Sequence, residues 1–271
     1  MTLTKRLLIV LIGTSILSSC ETEPKQWVYS STINLAGITP IGILADGDNF
    51  WLSDVGNDRL VKVDKSGNIL QEINGLIRPM HIDGEGDNIF IPQFGADNVV
   101  RWDGNNLIPV EISDSLDAPG GIGLGYGIVA VADFFNHRVL VSTENGSFII
   151  GKEGHDNSSL YYPTDVDITA DYINIADAYN NRVEVYDHQG KYVRTIGWQE
   201  GIRVASGVEV GNQQFFITDF HGGRLLIYDI YGQLLQTFTE SLSGPVDALL
   251  SGDKLYVTNF KGQSLSVFEL K

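Results

Sequence analysis

The chain has 271 residues, and its 34 acidic against 18 basic side chains give a formal net charge of −16. An acidic surface repels phosphate backbones, so the sequence predicts no nucleic-acid partner. The single cysteine excludes an internal disulfide, and a folded domain must therefore be held together by its own core.

The N-terminus has the organisation of an export signal. Two basic residues precede an apolar run over residues 7–17, which suits a signal-peptide core but is too short to span a bilayer. The run ends in Leu-Ser-Ser-Cys, which resembles the bacterial lipobox, whose cysteine is acylated. We predict a lipoprotein signal peptide over 1–20, lipidation of Cys20, a tether over 21–26 and a membrane-anchored envelope protein. An ordinary secretory signal is the alternative.

A repeat of about 40 residues follows the tether. Every unit contains an apolar-apolar-small-polar pattern whose last residue we call the anchor. The anchors are Asp54, Gln93, Asp133, Asp177, Asp219 and Asn259. A second landmark precedes each anchor by 14 residues: Pro40, Pro79, Pro119, Pro163, Ala205 and Pro245. Two landmarks in constant phase indicate six copies of one structural unit.

Each unit contains four strand-like pieces, and Asp-x-x-Gly turns such as residues 187–190 separate the last two. Four short strands at this period are typical of a propeller blade. The sixth unit ends after its third strand, whereas Trp27 to Leu35 supply an extra strand before the first unit. We therefore predict an all-β fold over 27–271, a six-bladed β-propeller with four-stranded antiparallel blades, in which the N-terminal strand completes the last blade.

Two units carry a recognisable motif. Residues 133–139 read Asp-Phe-Phe-Asn-His-Arg-Val, and residues 177–183 read Asp-Ala-Tyr-Asn-Asn-Arg-Val. Both are similar to the Asp-x-x-Asn-x-Arg-Val core of NHL repeats. This resemblance implies the propeller fold and leaves function open, because such propellers serve as binding scaffolds, enzymes and sensor domains.

The Asp and Arg of this motif lie five residues apart, across the hairpin between the second and third strands. The pairs are Asp54/Arg59, Asp133/Arg138, Asp177/Arg182 and Asp219/Arg224. Both members are absent together in the second unit (Gln93, Asn98) and in the sixth (Asn259, Ser264). Joint loss indicates charges that compensate each other, since either alone would be a buried unpaired charge. We interpret these eight residues as structural.

Aromatic residues follow the anchors. They are Phe94, Phe134, Phe220 and Phe260, with Phe135, Tyr179 and His221 at the next position. If the hairpins between strands two and three surround the mouth of the central channel, these rings form a collar that suits an apolar or sugar-like ligand. Packing between adjacent blades is the alternative explanation.

A polar set lies two residues after the first landmark. The six positions are Gly42, His81, Gly121, Asp165, Gly207 and Asp247. We expect the glycines to leave room at the channel wall, while His81, Asp165 and Asp247 converge from alternate blades as a candidate metal site. The alternative is that they hydrogen-bond neighbouring backbone or channel water.

These patterns predict no assembled catalytic set. Peptidyl-hydroxyglycine lyases resemble this architecture, but only His81 lies where their zinc-binding histidines lie. The leading hypothesis is a non-enzymatic envelope module that binds a protein, peptide or glycan at the channel mouth. The candidate binding residues are His81, Phe94, Phe134, Asp165, Tyr179, Phe220, His221, Asp247 and Phe260. The alternatives are a calcium-dependent lactone or ester hydrolase using the channel carboxylates and a structural envelope component. The cofactor is open, with Ca²⁺ as a candidate.

Overall fold

A computed structural model describes residues 25–271. The predicted signal peptide, the lipidation site Cys20 and the tether up to residue 24 lie outside the described residues. Among those described, no helix has the length and apolarity needed to cross a bilayer. The chain folds into six four-stranded antiparallel sheets, and a single turn of 3₁₀ helix spans Ala178–Asn180. The predicted six-bladed propeller is confirmed.

The strands follow the chain from the N-terminal strand β1 (Trp27–Asn34) through six blades. Blades 1 and 2 comprise β2 (Pro40–Asp46), β3 (Asn49–Asp54), β4 (Arg59–Val63), β5 (Ile69–Asn74), β6 (Asp83–Glu85), β7 (Asn88–Gln93), β8 (Asn98–Trp102) and β9 (Leu107–Pro109). Blades 3 and 4 comprise β10 (Pro119–Gly125), β11 (Ile128–Asp133), β12 (Arg138–Thr143), β13 (Gly146–Ile150), β14 (Pro163–Ile168), β15 (Tyr172–Asp177), β16 (Arg182–Asp187) and β17 (Tyr192–Ile196). Blades 5 and 6 comprise β18 (Ala205–Gly211), β19 (Gln214–Asp219), β20 (Arg224–Asp229), β21 (Leu234–Phe238), β22 (Pro245–Ser251), β23 (Lys254–Asn259) and β24 (Ser264–Leu270), with β1 as the outer strand of blade 6.

Local turn chemistry separates the strands as predicted. In the turn between β16 and β17, the Asp187 carboxylate accepts hydrogen bonds from the backbone N–H groups of Gln189 and Lys191 at 3.0 and 2.9 Å. Gly190 closes the turn with φ +76°, a conformation that glycine adopts without steric cost. The hydrophobic core lies between blades, where residues such as Val183 and Val185 pack against Phe215 of the next blade.

The ring closes through β1, which pairs antiparallel with β24. Trp27 is 1% exposed and packs edge-on against Phe216 of blade 5, with ring centroids 5.4 Å apart. Its indole Nε1 donates to Gln214 Oε1 at 2.8 Å, and its backbone N–H donates to Gln236 Oε1 at 2.9 Å. The prediction that the N-terminal strand completes the last blade is confirmed, and this strand also holds blade 6 against blade 5.

The Asp/Arg pairs hold each strand connection to its own blade. In blade 5, Arg224 Nε lies 2.9 Å from Asp219 Oδ2, while Asp219 Oδ1 accepts the backbone N–H groups of Arg203 and Val204. In blade 2 the neutral pair makes the same contacts: Gln93 Nε2 donates to Asn98 Oδ1 at 2.7 Å, and Gln93 Oε1 accepts from the backbone of the incoming connection. The structural interpretation is confirmed.

The innermost strands carry an irregularity at the position that was expected to face the channel. The register of β14 against β15 shifts between Pro163 and Asp165, and blades 1, 3, 5 and 6 shift at the corresponding position. Bulges of this kind redirect a side chain out of the regular alternation. In these five blades the residue two positions after the landmark therefore departs from the regular alternation of the inner strand.

The three glycines of this set have a different role from the one expected. A Cβ at Gly42, Gly121 or Gly207 would lie 2.6, 2.6 or 2.3 Å from backbone atoms of the next blade. Glycine is required because neighbouring inner strands approach closely there. The expectation that these glycines leave room at the channel wall is wrong, because the space is filled by the adjacent backbone.

Candidate functional site in the channel and at its mouth

The structure brings His81, Asp165 and Asp247 together inside the channel. His81 Nδ1 lies 3.6 Å from Asp165 Oδ1 and 3.6 Å from Asp247 Oδ2, and one ligand atom from each residue lies within 4.8 Å of the other two. His81 is 2% exposed, and each aspartate is 6% exposed. His81 Nδ1 is buried and has no hydrogen-bond partner among the described residues.

Both aspartates also join blades. Asp165 Oδ2 accepts the backbone N–H of Val208 in the next blade at 2.9 Å, and Asp247 Oδ2 accepts that of Ile43 at 3.0 Å. Each carboxylate oxygen has a second lone pair, so these bonds leave acceptor capacity for another partner. The two residues are structural links between blades and potential ligands at once.

A second group of carboxyl groups lies two residues further along the inner strands, at positions for which the sequence predicts no inward side chain. Asp83, Asp167 and Glu209 line the same cavity as Asp165 and Asp247. Asp83 Oδ2 and Glu209 Oε1 accept backbone N–H groups of the following blades at 2.7 and 2.9 Å. The alternation of an inner strand would have identified them once the inward position of Asp165 was known.

The crowding of charge alters the acid–base properties of the channel. Burial raises the pKa of Asp83 to about 6 and, despite the nearby His81, that of Asp165 to about 6. Burial and neighbouring carboxylates raise the pKa of Asp167 and of Glu209 well above the usual range. Burial acts to lower the pKa of His81, but the attraction of Asp165 and Asp247 outweighs it and raises this pKa to about 9. The two aspartates therefore favour the charged form of the His81 side chain.

The channel cavity is small. It has a volume of about 80 Å³ and is lined by the five carboxyl groups together with apolar residues of the inner strands. Pockets for organic ligands are typically about 300–1,000 Å³. The cavity can hold an ion with its water molecules but not an organic substrate.

The rings at the mouth form an interrupted collar. Phe94, Phe134, Phe135, Tyr162 and Tyr179, which we call the aromatic arc, connect blades 2, 3 and 4 through centroid separations of 5.4 Å (Phe94–Phe134), 4.8 Å (Phe134–Tyr162) and 5.2 Å (Tyr162–Tyr179). Phe135 is 47% exposed and Tyr179 is 49% exposed. The arc therefore combines packing between blades with an aromatic surface facing solvent. Tyr162 was not among the predicted residues, because it lies before the proline landmark rather than after an anchor.

The remaining predicted rings form a separate pair. Phe220 contacts Phe260 at 5.9 Å and His221 at 5.2 Å, and Lys261 lies over the Phe220 ring. Blade 1 has Val55 at this position, which leaves a gap in the collar.

Comparison with known proteins supports the fold and does not identify a family. No protein-family model matches the sequence, and no curated protein matches it. Among solved structures, a streptogramin B lyase has a TM-score of 0.64 at 14% identity, covering 90% of this chain and 98% of that one. A gluconolactonase from Xanthomonas campestris has a TM-score of 0.71 at 12% identity, covering 93% and 96%.

A computationally designed protein, Ika8, also shares the architecture, with a TM-score of 0.57 at 11% identity over 88% of this chain and 98% of that one. Likeness to a lyase, a lactonase and a designed scaffold at such identities shows a six-bladed propeller and carries no activity with it. The NHL motif remains a resemblance.

Proposed function

We propose that this NHL-like propeller is a non-enzymatic binding module whose aromatic arc binds a protein or peptide segment with apolar and basic side chains. The observation that supports this proposal most is the half exposure of Phe135 and Tyr179 on a base of packed rings. Rigid aromatic side chains contribute contact area at little entropic cost, and they dominate the binding energy of many protein interfaces. A glycan is the alternative ligand, since sugar rings also stack on such surfaces.

Charge favours a basic partner. Asp117 and Glu153 are exposed beside the arc: the Asp117 carbonyl accepts the Phe135 backbone N–H, and burial and Tyr161 raise the pKa of Tyr162 with a smaller contribution from the Glu153 charge. The net charge of −16 points the same way. Complementary charge accelerates association and suppresses like-charged partners.

We expect Phe135→Ala and Tyr179→Ala each to weaken partner binding roughly 30-fold, because loss of a hot-spot aromatic costs about 2 kcal/mol. A photo-crosslinking amino acid placed at Phe135 in cells, followed by mass analysis of the adduct, identifies the partner class, and titration with that partner gives the affinities. Tyr126, which is 67% exposed in the β10–β11 hairpin at the opposite end of the blades, supplies the control position for crosslinking and the control variant Tyr126→Ala. Protein adducts at Tyr126 but not at Phe135 would contradict the proposal, and retention on envelope polysaccharide instead would favour the glycan.

A second function is supported by the unpartnered Nδ1 of His81. Two ligands of a tetrahedral zinc ion lie about 3.4 Å apart, given metal–ligand distances of roughly 2.0–2.2 Å, and the 3.6 Å separations from His81 Nδ1 are close to this. We infer that His81, Asp165 and Asp247 hold a divalent cation. The imidazole nitrogen favours a zinc-like ion over Ca²⁺, which prefers oxygen ligands.

Adding Zn²⁺ to chelator-treated protein is expected to stabilise it by about 2.7 kcal/mol at 100 times the dissociation constant. Thermal unfolding measures this, with Ca²⁺ as the comparison ion. His81→Gln should abolish the stabilisation, whereas His221→Gln, at an exposed histidine of the mouth, should keep it. No stabilisation of the unaltered protein by either ion would exclude the cation and, with it, a metal-dependent hydrolase using the channel.

We further propose that lipid on Cys20 anchors the propeller at the cell envelope. The position of Cys20 directly after a short apolar run supports this. Cys20→Ser is expected to abolish incorporation of labelled fatty acid and to move the protein from the detergent phase to the aqueous phase on phase partitioning. Ser18→Ala should leave both unchanged. Continued acylation of the serine variant would contradict lipidation at this residue.

A further inference from the structure

A second cavity lies between blades 4 and 5 at the end opposite the aromatic arc. It has a volume of about 420 Å³, within the roughly 300–1,000 Å³ typical of sites for small organic molecules. Its wall includes Tyr172 and Asn174 of β15, Arg194 of β17, Phe215 of β19 and Tyr231 of the turn after β20. This cavity is more than large enough for a ligand that the channel excludes.

Arg194 supplies a cationic group to this cavity. Its guanidinium carbon lies 5.1 Å from the centroid of the Tyr172 ring and 5.9 Å from that of Phe215, so two aromatic rings fix its position. Its Nε is buried and unbonded. Within residues 25–271 it has neither an ion pair nor a hydrogen-bonded acceptor for its side chain, although the chain has 34 acidic residues. A guanidinium offers five donors in a fork that matches a carboxylate or phosphate.

Asn174 supplies a complementary acceptor. It is fully buried, and its Nδ2 donates to the backbone oxygen and the carboxylate of Asp167, each at 3.3 Å. Its Oδ1 is left without a donor. Buried polar atoms are nearly always paired, so an unpaired acceptor beside an unpaired cation in one cavity indicates a missing partner that carries both an anion and a donor.

We propose that this cavity binds a small organic acid whose carboxylate pairs with Arg194, whose hydroxyl or N–H group donates to Asn174 Oδ1 and whose flat apolar part lies beside Phe215 and Tyr231. The site is separate from the aromatic arc and adjoins the channel through the hydrogen bonds of Asn174 to Asp167, and it stands whether or not the proposed partner binding is correct. Tyr231 is 85% exposed, which places it at the entrance rather than in the core.

The test is calorimetric titration of the full purified protein with 4-hydroxyphenylacetate, its uncharged amide and inorganic phosphate. We expect one saturable site for the acid and at least tenfold weaker binding of the amide. Arg194→Gln should weaken binding of the acid at least tenfold. Arg203→Gln removes the same charge from an exposed position near the mouth and should leave the affinity for the acid unchanged.

Tyr231→Ala keeps the test decisive if Arg194→Gln fails to fold, because the exposed Tyr231 side chain makes no core contact. This variant should weaken binding of the acid several-fold. Absence of saturable binding of the acid at millimolar concentration would overturn the site. Unchanged affinity in a folded Arg194→Gln protein would do the same, and equal affinity for phosphate and the acid would overturn the assignment of an organic ligand.

Discussion

Replacing Trp27 by alanine is expected to lower the free energy of unfolding by about 3–5 kcal/mol. The substitution empties the space that the indole fills against Phe216 and leaves Gln214 Oε1 without the indole N–H that it accepts. Both losses fall on the interface that closes the ring. The midpoint of chemical unfolding, followed by circular dichroism, measures the change.

Trp198 offers a matched control, since it has the same side chain and is 66% exposed. Trp198→Ala is expected to change the stability by less than about 0.5 kcal/mol, as surface substitutions usually do. An equal effect at the two positions would mean that the N-terminal strand contributes nothing special to ring closure. Such a result would contradict the role of Trp27 in holding the closing strand against blade 5.

The closing strand was predictable because the sequence shows both an incomplete last repeat and a surplus strand that can complete it. The sixth unit stops after a third strand, which leaves an unpaired edge, and one surplus strand precedes the first unit. Exposed edges invite pairing with other chains, so the two ends have a physical reason to meet. The 14-residue phase between Pro163 and Asp177 likewise corresponds to a real contact, because these residues pair across β14 and β15.

The candidate sites were predictable only in part. The convergence of His81, Asp165 and Asp247 follows from their equivalent positions in the repeat. The sequence did not predict that Asp83, Asp167 and Glu209 also line the channel. For Asp167 and Glu209 the direction depends on the bulge in the inner strand, and a bulge has no marker in the sequence. Unless the position of the bulge is known, the alternation of side chains does not tell which residues of the strand face the channel.

The cavity at Arg194 was beyond sequence reasoning for another reason. Arg194 is the central residue of the outer strand of blade 4, between Val193 and Thr195, and a partly exposed arginine in an outer strand is ordinary. Its significance comes from the contacts it lacks, and these are visible only when Tyr172 and Phe215 are seen on either side of it. An unpaired group is a property of three-dimensional surroundings, not of a residue pattern.

We expect the two members of each Asp/Arg pair to be strongly coupled in their effect on stability. Blade 2, which carries a neutral pair at the same positions, shows the substitution to test. In blade 5, Arg224→Asn alone is expected to destabilise the protein by about 3–5 kcal/mol, because it leaves Asp219, which is 0% exposed, without its cation. Asp219→Gln alone should cost less, since Arg224 is at the edge of the sheet with 22% of its side chain exposed and can reach water.

The double variant Asp219→Gln/Arg224→Asn reproduces the neutral pair of Gln93 and Asn98, whose amides bond at 2.7 Å. It should be more stable than the sum of the single effects by about 1–3 kcal/mol. Unfolding of all four proteins completes the cycle. Additive effects within about 0.5 kcal/mol would show that the two charges act independently, and the joint absence of Asp and Arg from blades 2 and 6 would then need a cause other than mutual compensation.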